Sequence, residues 1–295
     1  MSKMKWDQTG ERLYETGVKQ GALYPQGTDG NYKTGVPWNG LTSVSESPSG
    51  AEPTALWADD TKYLTLMSIE EFGATIEAYT YPDEFAECDG SAEIEDGIFI
   101  GQQSRKPFGL VYKTTLGNDT EGNDYGYKLH IIYGALASPS EKNYESINES
   151  PEANTFSWEV TTTPVEVTGF KPTSQVVINS KKIDSVALKL IEDALYGTDS
   201  QEPTLLLPDE IKALLSAKYK ISFVAALGEE PLDGATISVF ADSARSIPVA
   251  DYSSVYPGTY YYTITKELFE PFTGSIVITD SDEEIEVALV KEDID

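Results

Sequence analysis

Cysteine, histidine and positive charge are what this sequence has least of. Its 295 residues hold one cysteine, Cys88, one histidine, His130, and 21 basic side chains against 49 acidic ones, for a formal charge of −28. One cysteine excludes an intrachain disulfide and a thiolate pair for zinc. One histidine excludes a His-rich metal site within the chain and would force any catalytic triad to use that ring. His130 has no serine, cysteine or acid beside it in sequence, so a structural ring that packs or hydrogen-bonds is expected. Cys88 lies between Glu87 and Asp89, whose charges raise a thiol pKa instead of activating it. The basic residues never run beyond pairs, Arg105-Lys106 and Lys181-Lys182. Broad gripping of nucleic acid, which draws on clustered Lys and Arg, is therefore not expected, and an anionic membrane surface would repel the chain. The opening MSKMKWDQTG lacks an apolar core of signal-peptide length, and no stretch nears the roughly 18 apolar residues of a membrane span. A protein made in a reducing compartment, without membrane insertion, is the expectation.

Recognisable reaction motifs are missing too. There is no Walker lysine loop, G-x-G-x-x-G, H-E-x-x-H or G-x-S-x-G, which lowers the odds of the commonest nucleotide and hydrolase chemistries. Forty-nine acids could place a carboxylate pair anywhere, but sequence cannot show the separation a glycosidase needs. Asp280-Ser281-Asp282-Glu283-Glu284 offers hard oxygen ligands at alternate positions, yet lacks the glycine of an EF-hand loop and reads as a solvated turn. No catalytic, cofactor-binding or metal-ligating residues are assigned, and no enzyme activity is expected.

What is present is strand pattern. Hydrophobic content of 40% is enough for a packed core, and at about 150 residues per domain the length suggests two domains. Residues 1–60 are rich in turn signals, Thr28-Asp29-Gly30, Asn39-Gly40 and Pro48-Ser49-Gly50, and read as an extended arm with strands instead of a compact subdomain. Lys62–Thr80 is β-type, with Ala74, Ile76 and Ala78 alternating against Thr75, Glu77 and Tyr79. Tyr81–Glu87 reads as a one- or two-turn helix with Pro82 in its first turn. Residues 108–134 form the clearest hairpin: strands Phe108–Leu116 and Tyr125–Tyr133 around a Gly117–Asn123 loop. A polar loop over Pro139–Asn154 and strands over Thr155–Thr163 and Val176–Ile178 follow.

The period then changes. Ile183, Val186, Ala187, Leu190, Ile191, Ala194 and Leu195 form one helical stripe, with Asn179 or Ser180 able to cap its start and Gly197 after its end. A second short helix is expected over Pro208–Ser216, which completes a helical segment over 183–216. A boundary at residue 217 separates residues 1–217 from residues 218–295. The latter read as a small all-strand sandwich: Lys220–Ala226, Ala235–Ala241, Thr259–Thr265, Ser275–Thr279 and Ile285–Val290. This last segment holds 5 basic and 15 acidic residues, so both parts are acidic and the charge is not a tail effect. Tyr260-Tyr261-Tyr262 is expected to fill the sandwich core and its edge, with a sugar-stacking surface as the other reading.

Taken in order, several stretches resemble a known family. They are Gly35-Val36-Pro37-Trp38-Asn39-Gly40-Leu41, Glu46-Ser47-Pro48-Ser49-Gly50-Ala51-Glu52, and Ala58-Asp59-Asp60-Thr61-Lys62-Tyr63. Next come Glu77-Ala78-Tyr79-Thr80-Tyr81-Pro82-Asp83-Glu84-Phe85, Phe108-Gly109-Leu110, Tyr127-Lys128-Leu129-His130-Ile131-Ile132-Tyr133-Gly134, Leu195-Tyr196-Gly197-Thr198 and Leu207-Pro208-Asp209-Glu210. Together they resemble the major tail proteins, or tail tube proteins, of siphophages and prophages of Gram-positive bacteria. Leu232-Asp233-Gly234-Ala235-Thr236-Ile237-Ser238-Val239 with Pro257-Gly258-Thr259-Tyr260-Tyr261-Tyr262 resembles immunoglobulin-like or carboxypeptidase-regulatory-like sandwiches, often appended to tube proteins as decorations.

The resemblance implies a mainly β fold, a tail-tube β-sandwich or barrel with a flanking α-helix followed by a small Ig-like sandwich, similar to the type VI secretion tube. It implies a structural subunit of the virion tail, made in the bacterial host cytoplasm. Hexameric rings would stack around a lumen through which the genome passes during ejection. Implied partners are copies of itself, the tape measure, tail terminator and distal tail proteins. Double-stranded DNA would pass transiently without specific binding. Loops Gly27–Asn39 and Asn118–Asp124 would order on adjacent subunits or rings. An acidic lumen keeps a duplex off the wall, and Arg105, Lys106, Lys113 and Lys128 are the cations whose placement tests that idea. The alternatives are a carbohydrate or host-surface binding module acting through the C-terminal sandwich, a wall hydrolase, or a tube subunit of a tail-like bacteriocin or gene transfer particle.

Overall fold

A computed structural model describes residues 3–144, 146, 153–227, 230–231 and 233–291. The chain divides into two compact units, residues 1–182 with 194–205, and residues 183–193 with 206–295. This grouping differs from the single boundary at residue 217, because Val186, early in the helical segment, belongs to the core of the second unit. Of the expected Pro139–Asn154 loop, residues 145 and 147–152 lie outside the described residues, as does Leu232.

The first unit is built on one antiparallel sheet. Its strands are β1 (Tyr14–Pro25), β2 (Val36–Trp38) and β3 (Leu41–Glu46), then, after the short pieces β4 (Ser49–Gly50), β5 (Pro53–Ala58), β6 (Thr61–Met67) and β7 (Glu70–Glu71), β8 (Gly73–Ala78). A small ribbon of β9 (Ala92–Glu95) and β10 (Ile98–Ile100) precedes β11 (Phe108–Asn118), β12 (Gly122–Ala137), β13 (Phe156–Thr162) and β14 (Gln175–Asn179). The sheet runs β2-β1-β11-β12-β13-β8-β3, and β14 also pairs with β12. Its two end strands, β2 and β3, are joined by the Asn39-Gly40 turn alone. Edges that close in sequence force the sheet to curl back on itself, as barrels do.

Inside the curl lies the core. The alternation read over Ala74, Ile76 and Ala78 points these three inward, fully buried, where they meet Trp158 and Val160 of β13. Phe85 stands at the centre: its ring lies 4.7 Å from Trp38, 5.0 Å from Trp158 and 5.4 Å from Phe108. Each such buried ring contributes about 1.5–3 kcal/mol. Phe85 and Cys88 are delivered by a 3-10 helix, Asp83–Glu87, shorter than expected, with Pro82 just before it instead of inside its first turn.

Two expectations about this unit need correction. Residues 1–60 are not merely an arm. β1 sits between β2 and β11 inside the sheet, with Leu23 and Tyr24 fully buried. The long hairpin has longer strands and a shorter tip than its composition suggested. Asn118 pairs with Gly122, because the Asn118 side-chain oxygen accepts the Thr120 and Glu121 N–H groups and folds the tip tightly. Over Phe108–Lys113 and Leu129–Tyr133 the hairpin is buried on both faces. Ile132 and Tyr112 face the core, while Tyr24, on the other side, donates its hydroxyl proton to the Leu195 carbonyl. Gly134 breaks the register at φ +57°, where a Cβ would stand 2.3 Å from the Thr163 carbonyl oxygen.

Helix α1 (Ser185–Tyr196) follows the expected stripe, and Gly197 at φ +77° follows its end. Its start is capped by Asp184, not by Asn179 or Ser180: the carboxylate accepts from Val186 and Ala187 N–H. Helix α2 (Pro208–Leu214) is closed at its start by Glu210 reaching back to the Leu207 N–H.

The second unit contains β15 (Ile221–Leu227), β16 (Glu230–Pro231), β17 (Thr236–Phe240), β18 (Gly258–Thr265), β19 (Phe272–Ile278) and β20 (Glu283–Ala288). They form two three-stranded sheets, β16-β15-β20 and β17-β18-β19, a small sandwich around Ile221, Val239, Tyr260, Ile264, Ile278 and Val287. Tyr260 and Tyr262 are buried in this core. The protein is mainly β.

Candidate assembly surface

The β5–β6 hairpin is exposed over almost its whole length, on both faces. Its turn is two residues, Asp59 and Asp60, both at positive φ (50° and 62°). That conformation matches the strand twist and is tolerated by Asp better than by most residues. Register places Leu56 opposite Leu64 and Thr54 opposite Leu66, so three leucines form a row on one face. Trp57, Tyr63, Met67 and Ile69 stand 63–86% exposed nearby. The β9–β10 ribbon repeats the pattern on a smaller scale, with Ile94, Ile98, Phe99 and Ile100 exposed. Apolar side chains grouped and exposed in this way are open to contact with another surface, and an isolated two-stranded ribbon is marginal without something to pack on.

The two loops expected to order on neighbours also make hydrogen bonds within their own chain. Gly10 N–H donates to Asp119, the Asn118 amide donates to the Gly10 carbonyl, and Tyr14 donates to Asn123, so residues 10–14 strap the tip of the long hairpin. Within Gly27–Asn39, Thr34 donates to Glu202 and Gly35 N–H to the Pro203 carbonyl. The signal for the real projecting element was two β-type runs separated by two residues. That element spans residue 60, so the expected arm over residues 1–60 and the expected β-type stretch from Lys62 are joined in one hairpin.

The four cations singled out by sequence are all engaged within the chain. Arg105 lies 3.3 Å from Asp89, Lys106 2.5 Å from Glu87, and Lys128 pairs with Glu15. Lys113 is buried, its ammonium 4.5 Å above the Tyr127 ring and 5.0 Å from that of Tyr196. Lys106 and Lys33 together hold the Glu87 carboxyl below its ordinary pKa, against burial. Burial works against the Glu15 carboxylate as well, but Lys128, Thr114 and His130 outweigh it and keep its pKa low.

Asp89 organises a second polar cluster. It is buried and accepts from Trp158 Nε1 at 3.0 Å, from Arg105 and from Lys142. Burial opposes the Lys142 ammonium, but the bond to Asp89 and the Tyr81 hydroxyl hold its pKa above the usual lysine value. A cavity of about 380 Å³ opens beside these groups.

His130 is the packing ring anticipated from its context. It stacks on Tyr112 at 4.6 Å and 4°, and its Nε2 lies 2.9 Å from the Thr114 hydroxyl. Glu15 and Glu46 approach its two nitrogens at 3.6 and 3.5 Å, yet burial prevails and its pKa falls below the ordinary value. Burial and Glu87 push the Cys88 thiol up to about 12. Asp280 and Ser281 lie in a bend, Asp282 accepts the Lys220 N–H, and Glu283 and Glu284 already belong to β20, so the expected turn is shorter than Asp280–Glu284. Among the described residues no group of three or more His, Cys, Asp or Glu could hold a metal, and no helix is long and apolar enough to cross a membrane.

No family model matches the chain, and no curated protein matches it.

Proposed function

We propose that this protein is a structural subunit of a phage tail tube, whose copies form stacked hexameric rings around a lumen that conducts the genome. The observation that carries the reading is the β5–β6 hairpin, an apolar ribbon exposed on both faces beside a curled, fully cored sheet. Such a ribbon is stabilised by packing on another surface, and in a homopolymer that surface belongs to another copy. The resemblance of residues 5–216 to tail tube proteins supplies the ring and the stack, and the curled sheet agrees with that family's barrel.

The conduction role follows from charge. With a formal charge of −28 and the four hairpin-region cations engaged within the chain, a lumen lined by this surface repels a duplex. In this reading the subunit is no enzyme. It resides in the virion tail after synthesis in the bacterial host cytoplasm. It meets tape measure, tail terminator and distal tail proteins at the ends of the tube, and residues 218–295 are an Ig-like decoration. Negative-stain microscopy of the concentrated protein tests this directly. Rings or tubes bearing outer knobs are expected. A chain that stays monomeric under every condition, and never occurs in particles, contradicts it.

A further inference from the structure

The pocket beside Asp89 is a local reversal of sign in a strongly acidic chain. Two cations, Arg105 and Lys142, converge on one buried carboxylate, leaving a positive charge unbalanced there. Arg105 makes all its bonds through Nη1, to Asp89, the Ala137 carbonyl and the Ser138 carbonyl. Its Nε and Nη2 donors have no acceptor among the described residues. The Ser140 hydroxyl, which also lines the cavity, is shielded from solvent and has no hydrogen-bond partner. Gln102 and Gln103 complete the rim. Two guanidinium donors and an ammonium beside about 380 Å³ suit a carboxylate, which an arginine takes by two parallel bonds.

The same unit carries a matching element. Asp59 and Asp60 form the tip of the projecting β5–β6 hairpin, exposed and in no ion pair among the described residues. Two copies at −28 each repel overall, so contact is favoured where the sign reverses. We infer that the Asp59-Asp60 tip of one copy seats in the Arg105–Lys142 pocket of the next, a charged plug in a socket that sets the register of assembly. The inference rests on the tube reading above and names the contact within it. The leucine row then supplies apolar burial along the hairpin, and the tip supplies alignment.

Cross-linking tests the seat. Cys88 is buried, so the thiol background is low, and Asp60→Cys with Gln102→Cys in one chain reports whether tip and pocket meet. Assembled material is expected to give a ladder of intermolecular disulfides on a non-reducing gel, absent from either single substitution. In parallel, D59N/D60G removes both charges while installing the Asn-Gly turn that this hairpin geometry favours. It is expected to stay folded and to need about tenfold more protein to assemble, the effect of losing one worthwhile interfacial charge contact. Particles that form normally from both variants, with no ladder and no change in assembly threshold, overturn the plug-and-socket contact and leave the tube reading standing. A wild-type chain that never assembles removes the tube reading, and this inference with it.

Discussion

The β11–β12 and β5–β6 hairpins lie in the same unit and meet opposite fates. β11–β12 is strapped at its tip by residues 10–14, buried on both faces over Phe108–Lys113 and Leu129–Tyr133, and threaded through the middle of the sheet. Among the described residues β5 and β6 pair only with each other, and they expose leucine, tryptophan, tyrosine and methionine. Apolar residues in the first stabilise the fold, whereas the same residue types in the second add little to the folded monomer and are available to a partner. Amino-acid composition alone does not distinguish the two; the surroundings do.

Substitutions at the two places should therefore separate folding from assembly. The largest effect is expected at the core that the long hairpin helps enclose. Trp158→Ala removes a fully buried ring that touches Trp38, Phe85 and Asp89, and should cost roughly 3–5 kcal/mol in denaturant unfolding. L56T with L64T in the exposed hairpin should change monomer stability by less than about 1 kcal/mol, yet abolish rings or tubes in sedimentation. Equal losses of folding in both variants would erase the distinction.

A smaller effect concerns His130, which lies in the buried hairpin. Burial lowers its pKa in the folded chain, while Glu46 and Glu15 pull the other way and Lys128 opposes protonation. Unfolded, the ring takes a proton near pH 6.5; folded, it resists to lower pH. The contribution of His130 to stability is therefore fully present above about pH 6.5 and is lost as the pH drops toward the folded value, by at most about 1.4 kcal/mol per pH unit. Because this is the only histidine, H130Q should flatten the slope between about pH 6.5 and 5 in unfolding titrations. An unchanged slope would refute the assignment. The smallest effect is chemical. Cys88, buried and with its thiol pushed up to about 12, should resist a thiol reagent in native buffer and react once denatured. Rapid native labelling would place it outside the core.

The sequence was legible where a residue's partner lies close by or where one face is wet. The alternation of Ala74, Ile76 and Ala78, the helical stripe ending at Leu195 and the five strands of the second unit all appear near their expected places. It was less legible where distant residues decide. The tip that Asn118 folds locally is strapped by Gly10, 108 residues away, and β1 is recruited into the sheet by β11. Neither pairing leaves a local trace. The projecting hairpin escaped notice because Asp59-Asp60 turns without glycine, and its strands show no buried face to read. The Asp89 cluster joins Arg105, Lys142 and Trp158 across three separate segments, so no spacing could announce it.

Amide hydrogen exchange on full-length protein, compared between monomer and assembled particle, tests the central claim most directly. Residues 53–67 should exchange quickly in the monomer and become strongly protected on assembly, while residues 108–137 stay protected in both. Assembled particles in which 53–67 still exchange at the monomer rate would contradict the account.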